Sequence, residues 1–128
     1  HPVVVFGTKE QQQRWLPPLI AGREKACFAV TEPDVGLDTT RIKTRATREG
    51  NGYVITGRKI WTSNSPVADY CIVFAITDPA RAAARKGGIS AFLVPTSSPG
   101  FEVQRIIKLF GHIGGDEAKA TPNAAPHE

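Results

Sequence analysis

At 128 residues, with 41% apolar and 22% charged side chains, the chain has the balance of an ordinary soluble globular protein built on one core. No apolar run approaches the roughly 20 residues that cross a bilayer, and no basic start with a small-residue cleavage site marks a signal peptide, so an intracellular location is expected. A formal charge of +4 admits anionic partners without choosing between nucleic acid and a phosphorylated small molecule.

The first element predicted is one short helix in "GTKEQQQRWLPP". Thr8 caps it, Gln11 three residues on completes a capping box, and Pro17 with Pro18 is expected to end it. After "LIAGREKA" the pattern changes to short strands. "CFAVTEPDVGLD" starts as an apolar strand and turns polar at Thr31, Glu32, Pro33 and Asp34, a strand end followed by a turn. "TRIKTRAT" alternates, with Ile42, Thr44 and Ala46 on one face and Arg41, Lys43 and Arg45 on the other. "EGNG" then predicts a tight hairpin around Asn51-Gly52, leading into "YVITG" and on to "KIWTSN".

"YCIVFAIT" is a nearly continuous apolar run, as in a central strand, and "ISAFLVP" and "FEVQRIIK" supply two more across a "TSSPG" turn. "DPARAAARKGG" reads as a polar loop with one helical turn. About six strands at this spacing predict a mainly β fold, an antiparallel sandwich or barrel-like domain behind one short helix. "KATPNAAPHE" has no apolar alternation and reads as a disordered or artificial tail, which leaves open that the last strand of the sheet is absent. No methionine occurs, even at position 1, so truncation is expected.

Several chemistries find no support. Cys27 and Cys71 lie in apolar strand-like runs without CxxC spacing and read as small buried hydrophobes in a reducing compartment. The histidines at 1, 112 and 127 do not cluster with other ligands, so no metal site is expected. No serine sits in a nucleophile elbow. Arg41, Lys43, Arg45 and Arg48 form a basic stripe that reads as a solvated strand face; nucleic-acid binding would need aromatics beside it to stack bases, and the sequence places none there.

Three stretches carry a resemblance: "CFAVTEPDVGLD", then "IKTRAT", then "YVITGRKIWTSN", in this order and spacing. The chain resembles the middle domain of the flavin-dependent acyl-CoA dehydrogenases from about residue 6 to about 112. The resemblance divides it into residues 1–24, the end of an α-helical N-terminal domain; 25–118, a β-domain carrying half of the flavin site; and 119–128, a disordered or non-family tail.

The resemblance also implies roles. Phe28, Ala29, Val30 and Thr31 line the isoalloxazine of FAD, where a strand end offers backbone N–H groups and a hydroxyl to the pyrimidine edge. Pro33 makes the exit, and Gly36 lets the backbone approach a phosphate. Trp61 packs against the ring, Thr62 contributes backbone, and Ser63 takes the place of a hydroxyl that bonds the ring nitrogen receiving hydride. Leu37 stands where the family usually has a serine touching cofactor and CoA, and it cannot donate a hydrogen bond. Ile113 stands where an arginine is common.

For a full-length relative the resemblance implies αβ-dehydrogenation of an acyl-CoA substrate, with electron-transfer flavoprotein as acceptor and a homo-oligomeric assembly. Its location would be cytoplasmic in a bacterium and the mitochondrial matrix in a eukaryote. The general base belongs to a C-terminal helical domain, so no catalytic residue is expected among these 128, and the chain is expected to be inactive alone. The alternatives are a non-catalytic flavin-site remnant, or an interaction module with a β-sandwich fold.

Overall fold

A computed structural model describes residues 1–109 and 112–120, with side chains described through residue 107. Two helices open the chain, α1 (Pro2–Phe6) and α2 (Lys9–Ile20). The capping box of α2 is present in both directions: the Thr8 hydroxyl accepts from the Gln11 N–H, and the Gln11 side chain accepts from the Thr8 N–H. Pro17 and Pro18 do not end α2 as the sequence suggested. The helix runs on to Ile20, and the Pro17 and Pro18 carbonyls still accept from Ala21 and Arg23. A proline gives up its own N–H and crowds the carbonyl four residues back, but its own carbonyl can still serve the final turn. No side chain of α2 is buried; its link to the sheet is the Trp15 ring, 4.6 Å from that of Tyr70.

Seven strands follow: β1 (Ala26–Ala29), β2 (Arg45–Glu49), β3 (Gly52–Thr62), β4 (Tyr70–Ile76), β5 (Ile89–Pro95), β6 (Phe101–Leu109) and β7 (His112–Ala120). The helical turn expected in "DPARAAARKGG" is α3 (Pro79–Ala83), capped by the Asp78 side chain. β7 reaches Ala120, so Lys119 and Ala120, assigned above to a tail, belong to a strand; residues 121–128 lie outside the described residues.

β2·β3 and β4·β5 pair antiparallel, as expected, and so do β3·β7 and β6·β7, which involve a strand the sequence did not suggest. β1 instead runs parallel to β4, Cys27 opposite Cys71, and β2 touches the end of β4 in parallel at Arg45↔Ile76. Parallel neighbours need a long crossover, and here the whole β2–β3 hairpin lies between β1 and β4. β4 is thus the central strand, with β5 along one edge and β1 then β2 along the other. Its Tyr70, Cys71, Ile72, Val73 and Ala75 are all buried, which accounts for its unbroken apolar run.

The hairpin forms with one correction. Glu49 pairs with Gly52, so the two turn residues are Gly50 and Asn51, not Asn51 and Gly52. Gly50 takes the left-handed position at φ 57°, as in two-residue turns that place glycine first. The alternation read in "TRIKTRAT" holds: Ile42, Thr44 and Ala46 are buried and the basic residues face out, although only residues 45–49 are ladder-paired. The core gathers Cys27, Ala29, Ala46, Ile55, Ala68, Cys71, Val73, Ala75 and Val94, with Phe92 and Phe101 against it. Cys27 and Cys71 are both buried thiols rather than a disulfide, and the Cys71 thiol is pushed far up by its hydrogen bond with Cys27 and by burial. A thiol held protonated is an inert core group.

Candidate functional site

β1 ends at Ala29 because the chain must turn. Glu32 and Val35 exchange both backbone hydrogen bonds around Pro33 and Asp34, closing a tight turn with proline at the position that favours it. β1 contributes alternating faces up to that turn. Cys27 and Ala29 point into the core, so Ala29 can offer a bound molecule only its backbone; Phe28 is 49% exposed and stacks edge-on against Phe74 at 5.1 Å. Val30 and Thr31 are half-buried. The Thr31 carbonyl accepts from the Ile60 N–H at 2.9 Å, which brings the end of β1 against the end of β3. The Thr31 N–H has no acceptor among the described residues.

β3 contributes the other flank through a fault in its own regularity. Its inward face runs Ile55, Gly57, Lys59, and strict alternation would put residue 61 inward too. Between Lys59 and Thr62, however, the pairing with β7 slips: three steps on β3 match two on β7, from Ala118 to Asp116. The extra residue is a bulge. Trp61 takes it at φ 61°, a conformation that costs a bulky side chain on the order of 1–3 kcal/mol. As a result Thr62 turns inward, fully buried, and Trp61 turns outward, 50% exposed. The Thr62 hydroxyl is buried without a partner among the described residues. Ser63 and Asn64 follow in the turn, both exposed.

Beneath this junction lies a buried ion pair to which sequence reasoning gave no role. Glu32 and Lys59 are 5% and 4% exposed, with Lys59 Nζ 2.9 Å from Glu32 Oε1. The carboxylate also accepts from the Lys43 N–H, the Thr44 N–H at 2.9 Å and the Thr44 hydroxyl at 2.6 Å. The ammonium makes a second bond, to the Val30 carbonyl at 3.0 Å. Burial by itself would raise the Glu32 pKa, but the hydrogen bonds from Thr44, Lys59 and the two backbone N–H groups take it below the ordinary carboxylate value. Burial pushes Lys59 down, against the bond and charge of Glu32, which hold its proton on. A void of about 10 Å³ lined by Ala29, Thr44, Gly57 and Lys59 adjoins the pair, at the lower limit for a water molecule. A lysine at an inward position of a strand was the signal available in the sequence, because a buried charge demands a partner.

The remaining expected residues are less engaged. Gly36 is exposed, and a Cβ there would meet open space, so nothing within this chain requires glycine. Leu37 is 105% exposed, an apolar side chain standing free in solvent. The basic stripe is solvated, and Lys43 pairs with Asp34 at 2.8 Å on the surface. The larger clefts lie elsewhere, one of about 480 Å³ between α1 and the β4–β5 ladder and one of about 630 Å³ between residues 65–68 and β6.

Residues 27–119 match the family model described as acyl-CoA dehydrogenase, middle domain. The chain belongs to the acyl-CoA dehydrogenase family. It is 46% identical over 117 residues to the human mitochondrial short-chain specific acyl-CoA dehydrogenase, covering 91% of this chain and 28% of that protein. Among solved structures it resembles an acyl-CoA dehydrogenase from Geobacillus kaustophilus, with a TM-score of 0.88 at 31% identity over 97% of this chain and 33% of that one. A glutaryl-CoA dehydrogenase from Mycobacterium smegmatis in complex with FADH2 gives a TM-score of 0.83 at 35% identity, over 97% and 31%. The chain therefore spans less than a third of the relatives it matches, and its mainly β body corresponds to the family's middle domain. None of its described helices is long and apolar enough to cross a membrane.

Proposed function

We propose that this chain forms one wall of the flavin site of an acyl-CoA dehydrogenase, with the end of β1 and the bulge of β3 presented to one edge of FAD. The observation that carries the reading is the Thr31–Ile60 hydrogen bond. It joins the free Thr31 N–H to the segment that turns Trp61 out, so a donor and an aromatic face stand side by side. A tryptophan in a left-handed conformation costs stability, and the Thr31 N–H is left available, with no acceptor among the described residues. Costs of this kind concentrate where a ligand is held.

The residues fit a flavin in kind. Thr31 offers its N–H and hydroxyl toward the pyrimidine edge, Trp61 offers an apolar ring surface that excludes water, and Ser63 offers a hydroxyl from the adjoining turn. Thr62 contributes backbone only, since its side chain is buried. Phe28 and Val30 supply apolar contact beside Thr31, and Ala29 its backbone. Leu37 can give an acyl-CoA apolar contact but no hydrogen bond. Bound there, FAD would accept the hydrogen removed from the β carbon of an acyl-CoA. The α proton requires a general base, and none of the described residues at this junction fills that role: Glu32 is spent on Lys59 and Thr44. The base, the electron-transfer flavoprotein that reoxidises the cofactor, and the contacts of a homo-oligomer belong in this reading to the rest of a larger protein.

Titrating riboflavin phosphate into the chain tests the reading. Quenching of flavin fluorescence that is lost in Trp61→Ala but kept in Tyr53→Ala is the expected result. In a protein extended by the surrounding reading frame, bleaching of the yellow colour by an acyl-CoA is expected; a colourless folded protein would instead favour the interaction module.

A further inference from the structure

The Val30 carbonyl and the Thr31 N–H are two ends of one peptide group. Lys59 Nζ donates to that carbonyl at 3.0 Å from a buried, nearly dry position, while the N–H at the other end has no acceptor among the described residues. A cation on a carbonyl pulls electron density through the amide and makes its N–H a stronger donor, more so where the local dielectric is low. Glu32 sets how much of that charge is felt, because the same ammonium bonds its carboxylate at 2.9 Å.

We propose that Lys59 is a positioning residue that acts through the Val30–Thr31 peptide, polarising the Thr31 N–H toward an anionic ligand edge, and that Glu32 tempers it. The proposal rests on the flavin-wall reading for the identity of that edge, but the polarisation itself is a property of the free chain. The pair also fixes geometry. Lys59 ties Val30 to β3 one residue before Ile60 ties Thr31, so the two bonds hold the lip at consecutive positions. Removing Lys59 loosens the lip and weakens its donor together. Removing the charge of Glu32 leaves the lip tied by Lys59 and raises the pull on the peptide.

The test compares Lys59→Met, Lys59→Arg, Glu32→Gln and the double variant Glu32→Gln/Lys59→Met, which leaves no unpaired buried charge if a single variant folds poorly. In the flavin-free chain the Val30 carbonyl ¹³C and Thr31 ¹⁵N resonances should move upfield in Lys59→Met and in the double variant, and downfield in Glu32→Gln. The Ile60 amide should exchange about tenfold faster or more in Lys59→Met, as for one lost bond to a charged group, with Cys71 and Ile72 amides unchanged relative to global stability. Lys59→Arg should keep the wild-type direction of both resonances. In the flavin-loaded protein, Lys59→Met should lower the reduction potential and Glu32→Gln raise it. Shifts of the same sign in the two single variants, or unmoved Val30 and Thr31 resonances, would overturn the proposal. If the wild-type chain binds no flavin, the cofactor reading fails, and the two resonances still decide the polarisation.

Discussion

The two halves of β3 obey different rules although they are one strand. From Gly52 to Thr56 the strand pairs with β2 in unbroken register, and Ile55 points into an apolar core. From Lys59 to Thr62 it buries a charge, slips register against β7 and puts a tryptophan into a left-handed conformation. The first half lowers free energy by ordinary burial and pairing. The second gives up stability to hold Trp61 outward beside Thr31. Strain and buried charge are concentrated in these four residues of β3.

The contrast sharpens under substitution. The largest loss is expected for Lys59→Met, which leaves the Glu32 carboxylate buried and unpaired, at about 3–5 kcal/mol in urea unfolding, with most of it recovered in Glu32→Gln/Lys59→Met. Recovery below half would mean that the pair is more than a matched cost. Gly57 sits at the border of the two halves, where a Cβ would fall 2.2 Å from the Thr44 hydroxyl. Gly57→Ala should therefore cost about 1–3 kcal/mol by overpacking, and also push Thr44 off Glu32. An unchanged denaturation midpoint would show that β2 can simply move aside.

Acid should separate the halves too. The Glu32 pKa is depressed in the fold, against burial, by its donors, so its stabilisation is fully present above the unfolded carboxylate value of about 4.3. It is lost as pH falls through the lower folded value. The fall in Tm on the acid side should be shallower in Glu32→Gln than in the wild type; equal slopes would place the acid sensitivity elsewhere. The smallest effect is expected at the strained residue itself. Trp61→Gly relieves the left-handed conformation and should leave thermal stability unchanged or raise it by about 1 kcal/mol, while abolishing flavin quenching.

Much of the fold was open to a reader of the sequence because it is local. The Thr8–Gln11 box, the hairpin, the alternation through Ile42, Thr44 and Ala46 and the unbroken run of β4 are set by neighbours a few residues apart. The misread features were the ones in which distant segments decide. α2 passes its prolines because their carbonyls stay usable, and β1 lies parallel to β4 because a whole hairpin intervenes. For the proposed site, the motifs around Thr31 and Trp61 point to two stretches, but the bond of Lys59 to Glu32 joins residues 27 positions apart, which no local pattern displays.

By itself, then, the sequence determined the family and the β character of the body, since these follow from residue order and short-range pattern. Tertiary structure alone decided that Trp61 faces out, that Thr62 is buried and that Glu32 reaches Lys59, 27 positions further along the chain. A one-residue slip against β7 inverts every later side chain, and an ion pair between strands exists only once the strands have met.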